Sequence, residues 1–304
     1  TVPMQFPPLI VAPMAGGPST PELVNAVSFG FLAWGTCGVD QARDELGCVR
    51  APFGINLFYP QAEAPAPEDL DTLLRITGAE RLQEADLTAG FAEKFALALE
   101  SPAAVISSTF GCFTAPEIAA IHESGAQAWV TVTNERDAAV ARNRGADALV
   151  VQGPLAGGHR GTWTPFEQPD TRPLEELVAA IAPLGTPVIA AGGVRDARAV
   201  AALLELGAAS VACGTAFLLA DEAGTSERNR ELLRSDAPST ASRAFSGRVA
   251  RGIATDFTRA NTGMPPVYPY LRPLTKGNDY CLVGADRGVL PQAPAAEIER
   301  ALTP

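Results

Sequence analysis

Positive charge is scarce in this sequence: 23 Lys and Arg stand against 34 Asp and Glu in 304 residues, a formal net charge of −11. The average surface field of such a chain repels nucleic acid and anionic membrane, so neither is an expected partner and small molecules are left. No apolar run approaches the roughly 20 residues that a membrane-spanning helix needs. The opening stretch, Thr1-Val-Pro-Met-Gln-Phe, has no basic segment followed by an apolar one, and the expectation is a soluble, cytoplasmic protein. Five cysteines (Cys37, Cys48, Cys112, Cys213 and Cys281) form no CxxC pair and no cluster with histidine. A disulfide framework and a zinc site are therefore not indicated, and no metal is expected. Histidine is equally sparse, with only His122 and His159.

What is present is apolar and periodic. The composition is 47% hydrophobic with 19% charged residues, enough to build a large core in one unit. Short β-rich runs recur at 8–14, 31–37, 53–58, 103–110, 127–133, 147–153, 187–193 and 210–217. Their nearly continuous apolar character fits parallel strands covered on both faces, with helices as crossovers. Segments 135–145 and 196–207 read as amphipathic helices closed by glycine, and each leads through Gly-Ala into the next strand; the same phrase occurs at 117–128. Eight such units predict an α/β fold, a (β/α)8 TIM barrel forming a single domain over residues 1–304. Residues 59–102, opened by the Pro- and Ala-rich YPQAEAPAPED, are expected as a mobile insertion with one or two helices. Residues 221–304 are expected as a C-terminal helical and irregular extension that caps the mouth or packs on the side.

Barrels of this kind place chemistry at the C-terminal ends of strands, with phosphate held after strands seven and eight. Gly192-Gly193 and Gly214-Thr215 lie at those two places. Glycine lets backbone N–H groups approach a phosphate, the following helix N-terminus adds partial positive charge, and Thr215 adds a hydroxyl donor. Ala12-Pro13-Met14 at the end of the first strand offers exposed backbone and a thioether on which a flat ring can rest. Ser19 or Thr20 would cap the helix that follows. The sixth strand runs into Gln152-Gly-Pro-Leu-Ala-Gly-Gly-His-Arg-Gly161, which sets His159 beside Gly158 in a loop of minimal bulk. His159 is the candidate near-neutral base, whereas His122 lies on a helix pattern as a solvated residue.

At these residues the chain resembles the nitronate monooxygenase (2-nitropropane dioxygenase) family, which shares its FMN barrel with enoyl-ACP reductase II. The matching segments are PLIVAPMAGG at 8–17, FGINLF at 53–58, GADALVVQGPLAGGHRG at 145–161, PVIAAGGV at 187–194 and VACGTAFL at 211–218. The resemblance implies FMN as cofactor, with Gly192, Gly193, Gly214 and Thr215 at its phosphate and Ala12, Pro13, Met14, Asn56 and Gln152 along the isoalloxazine and ribityl chain. It implies that His159, next to Gly158, faces the flavin across the substrate, and that Arg248 or Arg251 steadies the barrel mouth. Two departures stand out: Pro154-Leu155 occupies a place where the family often carries an acidic residue, and the 107–113 segment matches only loosely.

The activity implied is oxidation of alkyl nitronates, or nitroalkanes, by O₂ to a carbonyl compound and nitrite. Two competing readings remain open at this point. One is an NAD(P)H-dependent enoyl-thioester reductase of the same barrel type, whose acidic carrier would need a basic patch, for which Arg243, Arg248 and Arg251 are the obvious cluster. The other is a flavin-free barrel that binds a phosphorylated metabolite. An oligomer is compatible with every one of these.

Overall fold

Alternation of short apolar strands with amphipathic helices builds the chain outward from its sheet. The computed structural model describes residues 5–304, so most of the opening stretch read above lies outside the described residues. In chain order the elements are β1 (Leu9–Val11), α1 (Pro21–Ala26), β2 (Phe31–Ala33), α2 (Val39–Leu46), β3 (Gly54–Phe58), α3 (Pro67–Thr77), α4 (Phe91–Glu100), β4 (Val105–Thr109), α5 (Ala115–Glu123), β5 (Gln127–Val132), α6 (Glu135–Arg144) and β6 (Ala148–Gln152). There follow β7 (Gly158–His159), α7 (Leu174–Ile181), β8 (Val188–Ala191), α8 (Ala197–Glu205), β9 (Ser210–Cys213), α9 (Glu227–Arg234), β10 (Ser239–Ser242), β11 (Ala250–Ile253), α10 (Asp256–Ala260) and α11 (Ala295–Leu302).

Eight strands pair in parallel in the order β1-β9-β8-β6-β5-β4-β3-β2. A parallel bridge from Val11 to Gly30, with Val11 N donating to Phe29 O at 2.9 Å, joins β1 to the start of β2 and closes the ring. The result is the (β/α)8 barrel that the sequence predicts. Each predicted strand is present but shorter than its apolar run. The last, for instance, stops at Cys213, and the chain then makes a single tight helical turn over Thr215–Phe217.

Period-two alternation sorts the strand residues between two cores. Leu9 and Val11, Ile55 and Leu57, Val130 and Val132 pack outward against the helices. Ile10, Phe31, Val105, Trp129, Ala148, Ile189 and Ala212 form a separate apolar cluster inside the barrel, where Phe6 meets Phe29 and Trp129 edge-on. Burying each such side chain contributes about 1.5–3 kcal/mol. The next inward positions along the same strands are polar: Asn56, Ser107, Thr109, Thr131 and Gln152 line a cleft above the apolar floor. The strands are therefore apolar on the outside and half polar within, which a run-by-run reading of hydrophobicity misses.

Helix ends follow local chemistry. Thr20, and not Ser19, caps α1 by accepting from Leu23 N at 3.0 Å, while Ser19 Oγ accepts from Met14 N at 2.8 Å. Gly145 closes α6 with φ of 102°. His122 lies on α5 with its side chain 45% exposed, paired with Asp147 at 2.7 Å.

The stretch between β3 and β4 holds two helices of different kind. Helix α4 is the crossover of its own βα unit, its Phe91 and Ala98 belonging to the outer core. Helix α3 is the true excursion, and it docks on the tail through Leu73, which clusters with Ala244, Met264, Val267 and Leu271. The tail adds structure that the sequence reading did not resolve: β10 and β11 pair antiparallel, and β11 pairs with β7 in a three-stranded sheet. Among the described residues no helix is long and apolar enough to cross a membrane.

Candidate active site

A cleft at the C-terminal ends of the strands encloses about 260 Å³, near the lower end of the usual range for a small-molecule site. Ala12, Pro13, Met14, Asn56, Gln152, Gly158, His159, Gly192, Gly193, Gly214 and Thr215 all line it. Eight separate strand ends bring together residues up to two hundred positions apart.

One corner of the cleft is built for an anion. Gly192 and Gly193 take φ of 115° and 74°, a conformation that glycine adopts without steric cost. Their amide groups, and those of Gly214 and Thr215, meet no backbone carbonyl among the described residues. Thr215 Oγ1 accepts from Gly284 N at 2.9 Å, which leaves its own hydrogen free to donate. One expectation fails here. The N-terminus of α8 is already met by the carboxylate of Asp196, which accepts from Ala199 N at 2.8 Å, and β9 is followed only by the short helical turn. The positive end of a helix dipole therefore contributes little to this corner.

The other end of the cleft is organised around His159. The sequence reading places this residue in a loop, whereas it lies in β7, in register with Ala250 of β11. Gln152 clamps its neighbourhood from β6: Nε2 donates to His159 O at 2.9 Å and Oε1 accepts from Gly161 N at 2.7 Å. Each polar end of Gln152 thus makes one hydrogen bond that holds the histidine strand, and one Nε2 hydrogen and one Oε1 lone pair remain for a ligand in the cleft. Asn56 Oδ1 accepts from Ser107 Oγ at 2.8 Å and from Thr109 Oγ1 at 3.3 Å.

Electrostatics hold the imidazole neutral. Burial pushes its pKa down to about 3, and the nearby Arg248 guanidinium acts in the same direction. Some of its surface opens to the cleft, but protein surrounds it at longer range. Nε2 lies 2.7 Å from Ser246 Oγ, which itself accepts from Arg248 N at 3.3 Å. The serine oxygen keeps a second lone pair, so this contact accommodates either tautomer: Ser246 donates to Nε2 when the imidazole hydrogen is on Nδ1, and accepts from Nε2–H when it is not. Nδ1 has no protein partner among the described residues and is the ring nitrogen open to a ligand.

Phe110 and Tyr268, which the sequence reading does not single out, complete this wall together with Arg248. Phe110 and Tyr268 meet the imidazole ring with centroids 5.8 Å away in each case. Phe110 holds a left-handed φ of 72°, costly for a bulky residue, and so marks a position fixed by its surroundings. Arg248 is 1% exposed and has no carboxylate within ion-pair distance among the described residues; it lies 3.9 Å from the Phe110 ring centroid and 5.1 Å from that of Tyr268. Such cation–π contacts contribute about 0.5–2 kcal/mol. Tyr268 has no signal in the sequence and Phe110 only the loosely matching 107–113 segment; Ser246 and Arg248 stand together in Phe-Ser-Gly-Arg.

The three tail arginines do not form an exposed patch. Arg248 donates to Thr162 O, Arg251 to Pro154 O, and Arg243 to Pro165 O and Glu167 O. They donate to backbone carbonyls of the segment between β6 and α7. An acidic carrier protein finds no ready docking site in them.

A family model described as nitronate monooxygenase matches residues 3–286. The chain belongs to the nitronate monooxygenase family, a family of oxidoreductases. Nitronate monooxygenase of Pseudomonas aeruginosa is 36% identical, with 97% of this chain and 95% of that protein covered. Its counterpart in Paraburkholderia phytofirmans is 37% identical over 83% of this chain and 74% of its own length. Among solved structures, a nitroalkane oxidase from Streptomyces ansochromogenes superposes with a TM-score of 0.88 at 31% identity, covering 97% and 94% of the two chains. FabK from Thermotoga maritima, at 23% identity and a TM-score of 0.73, shares the fold with this member of the nitronate monooxygenase family.

Proposed function

We propose that this protein is an FMN-dependent enzyme that oxidises alkyl nitronates with O₂ to carbonyl compounds and nitrite. The observation that carries this reading is the pairing, in one cleft, of an anion-ready corner with a histidine held neutral. The residues present fit the cofactor: four backbone N–H groups without carbonyl partners and the free Thr215 hydroxyl hydrogen suit a phosphate, and the Ala12-Pro13-Met14 turn and the polar layer at Asn56 suit the ring system and its side chain. When bound, FMN supplies the redox chemistry, accepting electrons from the substrate and passing them to O₂.

The chain's own residues bind and orient. In the tautomer with its hydrogen on Nδ1, His159 donates to an oxygen of the nitronate while Ser246 donates to Nε2. Phe110 and Tyr268 exclude water from that side. The low basicity of His159 separates two substrate forms: a base with a pKa near 3 takes a proton from a neutral nitroalkane poorly, while a hydrogen-bond donor to an anion needs no proton transfer. Anionic nitronate is therefore the preferred substrate over neutral nitroalkane.

The test is an oxygen-uptake and nitrite assay of the yellow holoprotein with preformed nitronates, neutral nitroalkanes and NAD(P)H. Nitronate turnover exceeding nitroalkane turnover is the expected result. Rapid anaerobic bleaching of the flavin by NAD(P)H, without nitronate turnover, overturns the reading in favour of a reductase, and a purified protein lacking flavin absorbance even after FMN is added removes the cofactor.

A further inference from the structure

The proposed cofactor brings a phosphate of about −1.5 to −2 charge at neutral pH into a protein whose net charge is −11. Neutral backbone N–H groups bind the oxygens but leave the charge uncompensated, and Asp196 already occupies the end of α8. A cation is needed, and only one side chain supplies it. Among the described residues lining the cleft, Arg195 alone carries a charge; no Asp, Glu or Lys joins it.

Arg195 follows directly on the Gly192-Gly193 corner, after Val194. Its Nη2 donates to Ala285 O, which fixes the guanidinium plane, while Nη1 is buried from solvent and has no hydrogen-bond partner. Leaving a buried nitrogen of a cationic group without an acceptor is destabilising, so its persistence calls for an acceptor. A Cβ built on Gly284 would lie 3.1 Å from Arg195 Nη1 and 3.1 Å from Thr215 Oγ1. The two groups are therefore within about 6 Å of each other, on either side of Gly284.

We propose that Arg195 is a phosphate ligand, its Nη1 donating to the FMN phosphate and its charge neutralising it. This rests on the FMN reading above and adds to it a side chain that the glycine motifs do not contain. Because the contact is made only to the phosphate, it discriminates FMN from riboflavin, which has the same ring system and no phosphate.

The experiment measures binding of FMN and of riboflavin to the full-length apoprotein by flavin fluorescence, for the wild type, Arg195→Met and Arg195→Lys, with thermal melting of each apoprotein alongside. One charge-assisted hydrogen bond corresponds to about 10- to 100-fold in affinity. Arg195→Met should weaken FMN binding by about that factor and leave riboflavin within about twofold, so that the FMN-to-riboflavin ratio collapses; Arg195→Lys should recover part of it. Equal weakening of both flavins overturns the assignment and makes Arg195 a brace for the tail at Ala285. Unchanged FMN binding in Arg195→Met overturns it as well. A wild-type apoprotein that binds neither flavin fails the cofactor reading itself and takes the assignment with it.

Discussion

Gln152 offers a sharp test, because the resemblance and the geometry give it different work. In the structure its Nε2 and Oε1 hold His159 O and Gly161 N at 2.9 and 2.7 Å. Gln152→Leu removes both bonds while keeping the side chain's bulk. It leaves the half-buried His159 carbonyl and the buried Gly161 N–H without these partners, at a cost of about 1–2 kcal/mol each, or about 2–4 kcal/mol together. With an unfolding entropy of about 2.1 cal/mol/K per residue, this chain of 304 residues has an entropy of about 0.64 kcal/mol/K, and the melting temperature should fall by about 3–6 °C. Loosening of β7 should lower kcat on a nitronate by tenfold or more, with FMN affinity changing less, since both hydrogen bonds that Gln152 makes within the protein go to the histidine strand. The assays are calorimetry of the apoprotein, steady-state oxygen uptake and flavin titration. A melting temperature within 1 °C of wild type, or a loss that appears wholly as weaker FMN binding, would refute the clamp and return Gln152 to the cofactor.

Three further outcomes follow from the same geometry. His159→Asn should reduce kcat/KM for a nitronate by about 10- to 100-fold, the worth of one hydrogen bond to an anion; turnover within twofold of wild type, measured by nitrite release, removes His159 from the site. The histidine also sets an acid limb of stability: its folded pKa near 3 lies below the unfolded value of about 6.5, so the unfolded chain binds the extra proton between these values. Stability should therefore fall as pH drops below about 6.5, by at most about 1.4 kcal/mol per unit from this group, and level off below about 3. Urea melts of the apoprotein at pH 7 and pH 5 should show a shallower acid loss in His159→Asn, and an identical loss would contradict the assignment. Gly157→Ala places a Cβ 2.5 Å from Gly284 N and 2.7 Å from Val283 C, both backbone; it should cost about 2–3 kcal/mol by forcing the tail off the barrel. Gly263→Ala meets nothing within 4 Å and serves as the control in the same melting series.

The barrel was legible in the sequence because its signals are local: eight apolar runs, glycine-closed helices between them, and glycine pairs at two strand ends. Period-two side-chain direction and the closure from Val11 to Gly30 then follow from backbone geometry. His159 could be singled out from scarcity and from its glycine setting alone. Tertiary structure decided what that histidine can do, since neutrality depends on burial and on Arg248, and the open ring nitrogen depends on Ser246, eighty-seven residues away. The same holds at the other end of the cleft. In sequence, Arg195 is one more arginine before an amphipathic helix; only the fold, by capping α8 with Asp196 and bringing Gly284 and Thr215 beside it, leaves its Nη1 buried and without an acceptor. Local patterns specify elements, whereas charge, burial and unpaired donors are properties of places where distant segments meet.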